Sequence, residues 1–511
     1  MKNNLQRLLV LSAVLILIGQ ANADVRLPAV IGNNMVLQQN MPLKIWGWAD
    51  PDEAVTVQIL SNKVKTKADK NGKWLVTLPE MSAGGPHTMT VSGKNTVTIE
   101  NILVGEVWVC SGQSNMEWTV RSVDHNVEET FAANYPQIRL FQVPKRAAAA
   151  PMDDVNASWQ ACDPASALNF SAVAYFYGRM LHQELGVPVG LIHTSWGGTR
   201  IEPWTPMPGF EGVPELKDII AEVRETPAKY REALGKSLNE MEAWLAQAKQ
   251  AYDKGEDLPE MPAPAQNPLE DRQKPMSLYN GQVYGLVPFG IRGAIWYQGE
   301  SNRGEGVQYF YKMKALIEGW RKVWAQGDFP FYFVQLAPYT YAFPESKDGA
   351  DVLLAEVREG QRKALTIPNT GMAVTTDIGN LFDIHPRNKQ EVGRRLALWA
   401  LAKTYGDQEV VYSGPLYRGM RIEGSKIVLQ FDHAEGGLVS RYGEPLDWFE
   451  IAGADGKFMA ARAMIKGTEV VVYSSQVAAP TAVRFGWHEQ ATPNLMNQAG
   501  LPASPFSTET R

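Results

Sequence analysis

Between residues 103 and 405, short apolar runs alternate with stretches of helical period, and this alternation limits the fold more than any other feature of the chain. Residues 102–110, 189–193, 291–297, 331–336 and 372–375 read as buried strands, and 172–185, 309–324, 356–365 and 389–405 as amphipathic helices. Ser171 and Gly186 stand where the caps of one such helix belong. Strands and helices alternating at this spacing predict an α/β fold with a parallel sheet covered on both faces, whose ligands sit beyond the carboxyl ends of the strands. Residues 206–275 interrupt the series. A charged helical stretch over 228–254 and a proline-rich one over 258–275 predict an insertion there, either a solvated helical hairpin or a flank of the site.

On either side the period is that of strands. Residues 55–59, 64–68, 73–78, 87–91 and 96–99 predict a small β-sandwich over 24–102, with Asn71-Gly72 as a two-residue hairpin turn. Runs at 419–422, 426–431, 446–451, 468–473 and 482–487 predict a second β domain over 409–511, leaving 103–408 as the α/β domain. Lys2 and Arg7, the apolar run 8–18 and the small-residue pattern Ala21-Asn22-Ala23 predict a signal peptide over 1–23 and a periplasmic or secreted protein. No later run is long and apolar enough for a membrane span. The net charge of −6, with no basic block, argues against nucleic acid as a partner. Cys110 and Cys162 are the only cysteines, so no disulfide framework holds the fold, and whether these two bridge or simply pack is open.

The chemistry gathers at strand ends. The run 102–110 stops at Ser111-Gly112-Gln113-Ser114-Asn115, which reads as a strand delivering Ser114 onto a tight turn. A serine hydroxyl attacks only when a base takes its proton and N–H donors receive the oxyanion. Turn chemistry alone would also explain these five residues. Three further strand ends supply the missing parts: Trp196-Gly197-Gly198-Thr199, Gln298-Gly299-Glu300-Ser301-Asn302, and Asp383-Ile384-His385-Pro386. Together they offer nucleophile, oxyanion donors, base and orienting acid along one rim.

With those residues in view, the chain resembles the sialate O-acetylesterase type of the SGNH, or GDSL-like, hydrolases. The resemblance rests on VWVCSGQSNMEW, SAVAYFYGRMLHQELGVPVGLIHTSWGGT, IWYQGESN and DIHPRNK. It implies a flavodoxin-like α/β/α domain with flanking β-sandwich-type domains, and cleavage of acetyl esters from sugars with no metal and no cofactor. Residue by residue, it makes Ser114 the nucleophile and His385 the base. Ser114, Gly197 or Gly198, and Gln298 become the oxyanion donors. The acid departs from the superfamily pattern, since position 382 is Phe and Asp383 lies two residues before His385. Asp383 can still reach the imidazole from an extended segment; Glu300 is the rival orienter, and a backbone carbonyl would leave a dyad.

The substrate is an O-acetylated sugar or glycan of open identity. Sialate would call for a cation, for which Arg200, Arg303 and Arg387 stand beside the rim motifs. Asn115, Asn302 and Trp196 join them as expected substrate contacts. Acetylated xylan or another hemicellulose would instead call for aromatic platforms, with Trp118, Trp196 and Trp204 as candidates. A glycan-binding protein with a dead hydrolase centre is the non-enzymatic alternative.

Overall fold

The computed structural model describes residues 24–341 and 350–509; the expected signal peptide lies outside the described residues. Its central strand is Thr96–Gly112, seventeen residues long. The first part pairs antiparallel with Gly84–Ser92 in the N-terminal β module. The second part lies in a parallel sheet, between Val189–Ser195 and Gly293–Tyr297. From Ile102 onward every residue of this strand is buried, as expected for a strand covered on both faces. The boundary expected at 102/103 therefore falls inside one strand, and the two modules share backbone hydrogen bonding rather than a linker.

The parallel sheet runs Thr370–Ala373, Phe331–Val334, Gly293–Tyr297, Thr96–Gly112, Val189–Ser195, Tyr135–Gln142, with Trp159–Cys162 added antiparallel at the edge. The five strands expected from the sequence stand in the order 2-1-3-4-5, the flavodoxin-like arrangement. Its switch point lies between the first and third, Thr96–Gly112 and Gly293–Tyr297, and ligands of such sheets bind beyond the strand ends there.

Two helix pairs cover the sheet. Ala172–Leu185 is capped by Ser171, whose Oγ accepts from Ala174 N at 3.2 Å, and ends at left-handed Gly186. It packs on Lys389–Lys403. Gln308–Trp324 and Leu353–Lys363 pack together on the other face, as right-handed crossovers require. Trp108 fills the core between Tyr177 and Tyr332, at centroid distances of 5.2 and 5.9 Å. Below it the Glu106 carboxylate is buried but satisfied, accepting from Arg292, Tyr405, Gln38 and Gln39.

Two expectations change and one open question closes. The Asn71-Gly72 turn does not close a hairpin, because Asn62–Lys67 pairs with Ala54–Ile59 while Lys73–Leu78 pairs with Leu43–Trp48 in a different sheet. The Asp69 carboxylate takes the N–H groups of Asn71 and Lys73, which turns the chain from one layer to the other. The insertion is not a helical hairpin: Lys217–Lys254 is one long helix with Pro227 inside it, and the prolines that follow keep the return segment extended. That segment lies along the helix through Trp244 Nε1 to Pro259 O and Ala265 N to Ser237 Oγ. Finally, both cysteines are free and buried, and burial pushes the Cys162 thiol up to about 12.

The C-terminal residues form antiparallel sheets around their own core of Ile451, Val472, Phe485 and Phe506. The chain crosses back to the α/β domain repeatedly, with Glu489 reaching Arg303 at 2.9 Å and Ser504 bonding Gln335.

Candidate active site

Register places three strand ends level. Gly112 is paired with Ser195 on one side and Tyr297 on the other, so the chain leaves all three strands at the same height. Only glycine fits at 112: its φ is 146°, and a Cβ there would stand 2.1 Å from Tyr297 O. Gln113 N donates to Tyr297 O at 3.0 Å, and Ser114 opens the short helix Ser114–Glu117. Residues at the start of a helix keep N–H groups without intrahelical partners, and Ser114 is the first of this one. Gly197 comes so close that a Cβ on it would meet Ser114 Cβ at 3.2 Å.

His385 is brought in from the loop after the last parallel strand. Asn115, the residue after Ser114, donates to Ile384 O at 3.0 Å. Trp118, at the end of the same short helix, stacks on the imidazole at 4.5 Å and 12°. Two contacts thus tie the serine helix to the histidine loop. The ring is half-buried, and burial together with the Lys389 charge lowers its pKa from the ordinary histidine value, against smaller upward effects of Asp383 and Glu117.

Asp383 sits where the spacing put it, on the same side as His385, but its main bond is elsewhere. Its Oδ1 accepts from the His385 backbone N–H at 2.9 Å and lies 3.7 Å from Nδ1, beyond hydrogen-bonding distance. Glu300, the rival orienter, is bonded instead to Asn115 Nδ2 at 2.5 Å, and burial raises its carboxyl above the ordinary range.

Beside them lies a group that sequence reasoning missed. Lys389 is fully buried, donates to Asn115 Oδ1 at 2.5 Å and stands 5.1 Å from the Tyr297 ring centre. Desolvation brings its pKa down to about 7. Lys389 closes the DIHPRNK run, where the sequence marks it only as the start of a helix; its place four residues after the base is the available signal.

The expected oxyanion donors fare unequally. Gly197 N donates to Glu117 Oε2 at 2.6 Å, so the donor holds an anion, though one supplied by the chain. Gly198 is exposed, with φ 72°. Gln298 is a correction. Its amide is fully buried, with Nε2 donating to Thr199 O at 3.0 Å and Asn302 Oδ1 at 2.8 Å, while Tyr309 bonds its oxygen. Both amide hydrogens are used inside the protein, which makes Gln298 a brace beneath the rim.

Several substrate contacts expected from the sequence are committed elsewhere. Arg200 pairs with Glu202 and Glu305, and half-buried Lys312 shares the same two carboxylates. Arg303 pairs with Glu489 and lies 4.5 Å from the Tyr341 ring centre. Asn302 is buried between Gln298, Ile201, Glu202 and Glu305. Trp204 belongs to the core, edge-on to Trp296. Arg387 is exposed, and Trp118 and Trp196 remain half-buried beside Ser114 and Gly197. A hydrogen-bonded Ser–His pair elsewhere, Ser195 Oγ with His193 Nε2 at 2.6 Å, is buried in its strand, and burial lowers that histidine to about 3. It is core hydrogen bonding, closed to substrate. Among the described residues no cluster of His, Cys, Asp and Glu could hold a metal ion.

Comparison with known proteins shows the family. Residues 104–240 and 275–402 match the family described as carbohydrate esterase, sialic acid-specific acetylesterase. The chain is 30% identical to the sialate O-acetylesterase of Mus musculus over 81% of its length and 80% of that protein. It is 28% identical to the human one over 98% of its length and 95% of that protein. The crystal structure of a carbohydrate acetylesterase from Xanthomonas citri superposes with a TM-score of 0.79 at 36% identity, covering 96% of this chain and all of that one.

Proposed function

The chain belongs to the sialic acid-specific acetylesterase family of carbohydrate esterases, and on that premise we propose that it hydrolyses O-acetyl esters of sugars with Ser114 as nucleophile and His385 as base. The observation that carries the assignment is the double tie between the serine helix and the histidine loop, Asn115 to Ile384 and Trp118 on His385. His385 takes the Ser114 proton as the hydroxyl attacks the acetyl carbonyl. The oxyanion is received by the Ser114 N–H and by Gly197 N–H once the Glu117 carboxylate yields it. The sugar alcohol leaves with the imidazolium proton, and water then releases acetate by the reverse route.

The names of the relatives point to sialate as substrate. One set of observations favours a second reading, an uncharged acetylated glycan: Arg200 and Arg303, two of the cations a sialate carboxylate would need, are neutralised by Glu202, Glu305 and Glu489. Acetate release from 9-O-acetylated sialic acid and from acetylated xylan, measured side by side, tests both. Turnover of neither sinks the assignment. The Lys2 and Arg7 charges, the apolar run and Ala21-Asn22-Ala23 support secretion or a periplasmic location, which N-terminal sequencing of the exported protein tests.

The acid contributes modestly in this reading. Asp383 is beyond bonding distance of Nδ1 and partly exposed to water, so Asp383→Asn is expected to lower kcat/KM less than about tenfold. A directly bonded acid costs about 10⁴ when neutralised, and a loss of that size would show that the carboxylate closes on the imidazole during turnover.

The pH profile has a definite sign. The base works only when neutral, so kcat/KM falls as pH drops through the His385 pKa, which burial and Lys389 hold below the ordinary value. Activity is expected to persist to below about pH 6.5. Asp383→Asn removes an upward influence and should move the acid limb further down. An acid limb above the ordinary histidine range would contradict the assignment.

A further inference from the structure

Where the C-terminal β domain meets the α/β domain there is a cleft of about 420 Å³, between Asp351 and Val352 on one side and Trp448, Glu450, Trp487 and His488 on the other. Its wall is tied to one of the turns that carry the rim motifs. Glu489, next to His488, pairs with Arg303 in the turn that follows Gly293–Tyr297, and His488 O accepts from Arg358 at 3.1 Å.

Trp448 is the exposed aromatic residue of this wall. Its φ is 56°, a left-handed conformation that bulky residues rarely adopt and that costs of order 1–3 kcal/mol. Strain of this kind is common beneath a side chain that fills a core, but Trp448 is 37% exposed. The ring faces His488 at 5.7 Å and 32° and forms part of the cleft wall. A strained backbone is thus presenting an aromatic face to solvent.

The rest of the wall suits one ligand chemistry. An electron-rich aromatic face takes the C–H face of a pyranose, and carboxylates accept from its hydroxyls. Asp351, Asp447 and Glu450 line the cleft, Asp351 lying 3.4 Å from His488 Nε2 and Asp447 accepting from Asn494 N at 3.0 Å, while its Arg484 is already paired with Glu509 and lies 3.9 Å from the Phe458 ring centre. An acidic wall whose one arginine is committed disfavours a sugar acid and favours an uncharged sugar.

We propose that this cleft binds a neutral pyranosyl unit of the same glycan whose acetyl ester is presented to Ser114, so that the C-terminal domain grips the chain while the α/β domain cleaves it. The proposal rests on the glycan esterase reading and adds to it a subsite and a preference for neutral chains.

The test uses the full chain and two readouts. With acetylated xylan, Trp448→Ala is expected to raise KM about tenfold with kcat retained, while kcat/KM on p-nitrophenyl acetate, too small to reach the cleft, stays within about twofold. In the Ser114→Ala background, calorimetry with acetylated xylo-oligosaccharides is expected to show binding that Trp448→Ala weakens about tenfold. Trp448→Asn guards against misfolding, since Asn accepts the left-handed conformation; it should be at least as heat-stable as the parent and lose the same affinity. Unchanged KM and unchanged affinity in a folded Trp448 variant would overturn the proposal, as would weakened binding of free N-acetylneuraminic acid in place of the xylo-oligosaccharide. Loss of p-nitrophenyl acetate hydrolysis on Ser114→Ala reports the catalytic reading separately, whatever the cleft does.

Discussion

Ser114→Ala is expected to reduce acetate release by on the order of 10⁴-fold or more, with the fold unchanged. The size follows from the role. Without the hydroxyl there is no acyl-enzyme, and what remains is binding and whatever oxyanion stabilisation a water attack can borrow from the Ser114 and Gly197 N–H groups. The stability effect should be within about 0.5 kcal/mol, because a half-buried side chain loses one oxygen and the turn is held by backbone contacts, Gln113 N to Tyr297 O and Trp118 N to Ser114 O. His385→Ala should cost a similar factor, and the double variant no more than the worse single one, since the two act as a unit. If Ser114→Ala keeps more than about a hundredth of the activity, a residue other than Ser114 is the nucleophile.

The strand ends were legible from sequence because each is fixed locally. An apolar run must be buried, and glycine and serine after it must turn the chain, so Ser114 and Gly197 could be assigned to one rim from sequence, whereas His385 stands in the loop well past Thr370–Ala373 and was marked by its motif. The order 2-1-3-4-5 was implied only by the resemblance, because alternating helices and strands fit other doubly wound orders equally well. What could not be read is where polar side chains spend their hydrogen bonds. Gln298 looks like a donor at the edge of the site, yet Thr199 and Asn302 take both its hydrogens, and neither partner is implied by its neighbours in sequence. Arg200 and Arg303 look like carboxylate receptors until Glu305 and Glu489 are seen beside them; Glu489 lies 186 residues from Arg303. The Asn71-Gly72 turn failed for the same reason, since a turn signal does not say which sheet the next strand joins. Trp448 carried no signal at all, because a left-handed tryptophan has no mark in sequence.

Lys389→Met is expected to give a protein that is more stable and less active. Burial brings the ammonium from its ordinary range down to about 7, while in the unfolded chain it keeps its proton to about 10.4. Between those values the unfolded chain holds a proton that the folded chain sheds, so this group makes stability rise with pH across that window and fall as pH drops back through it. Below about 7 the penalty is complete, several kcal/mol at roughly 1.4 kcal/mol per tenfold. Methionine removes the penalty and forfeits the bond to Asn115 Oδ1, worth about 1–2 kcal/mol, for a net gain of about 2 kcal/mol near neutral pH. Glu300, already raised by burial, answers the loss of the cation by holding its own proton more firmly. Activity moves the other way. Asn115 is held by Lys389 and Glu300 while it donates to Ile384 O, so freeing one side of its amide loosens the loop that aims His385. Small misplacements of this kind cost up to about 10²-fold in kcat. The pH profile separates this role from a purely structural one: the Lys389 charge lowers the His385 pKa, so its removal should shift the acid limb of kcat/KM to higher pH, opposite to the shift from Asp383→Asn. A Lys389→Met protein that is less stable, with its acid limb unmoved, would mean that the ammonium serves only as a counter-ion to Glu300, and that the base is aimed by Trp118 and Asp383 alone.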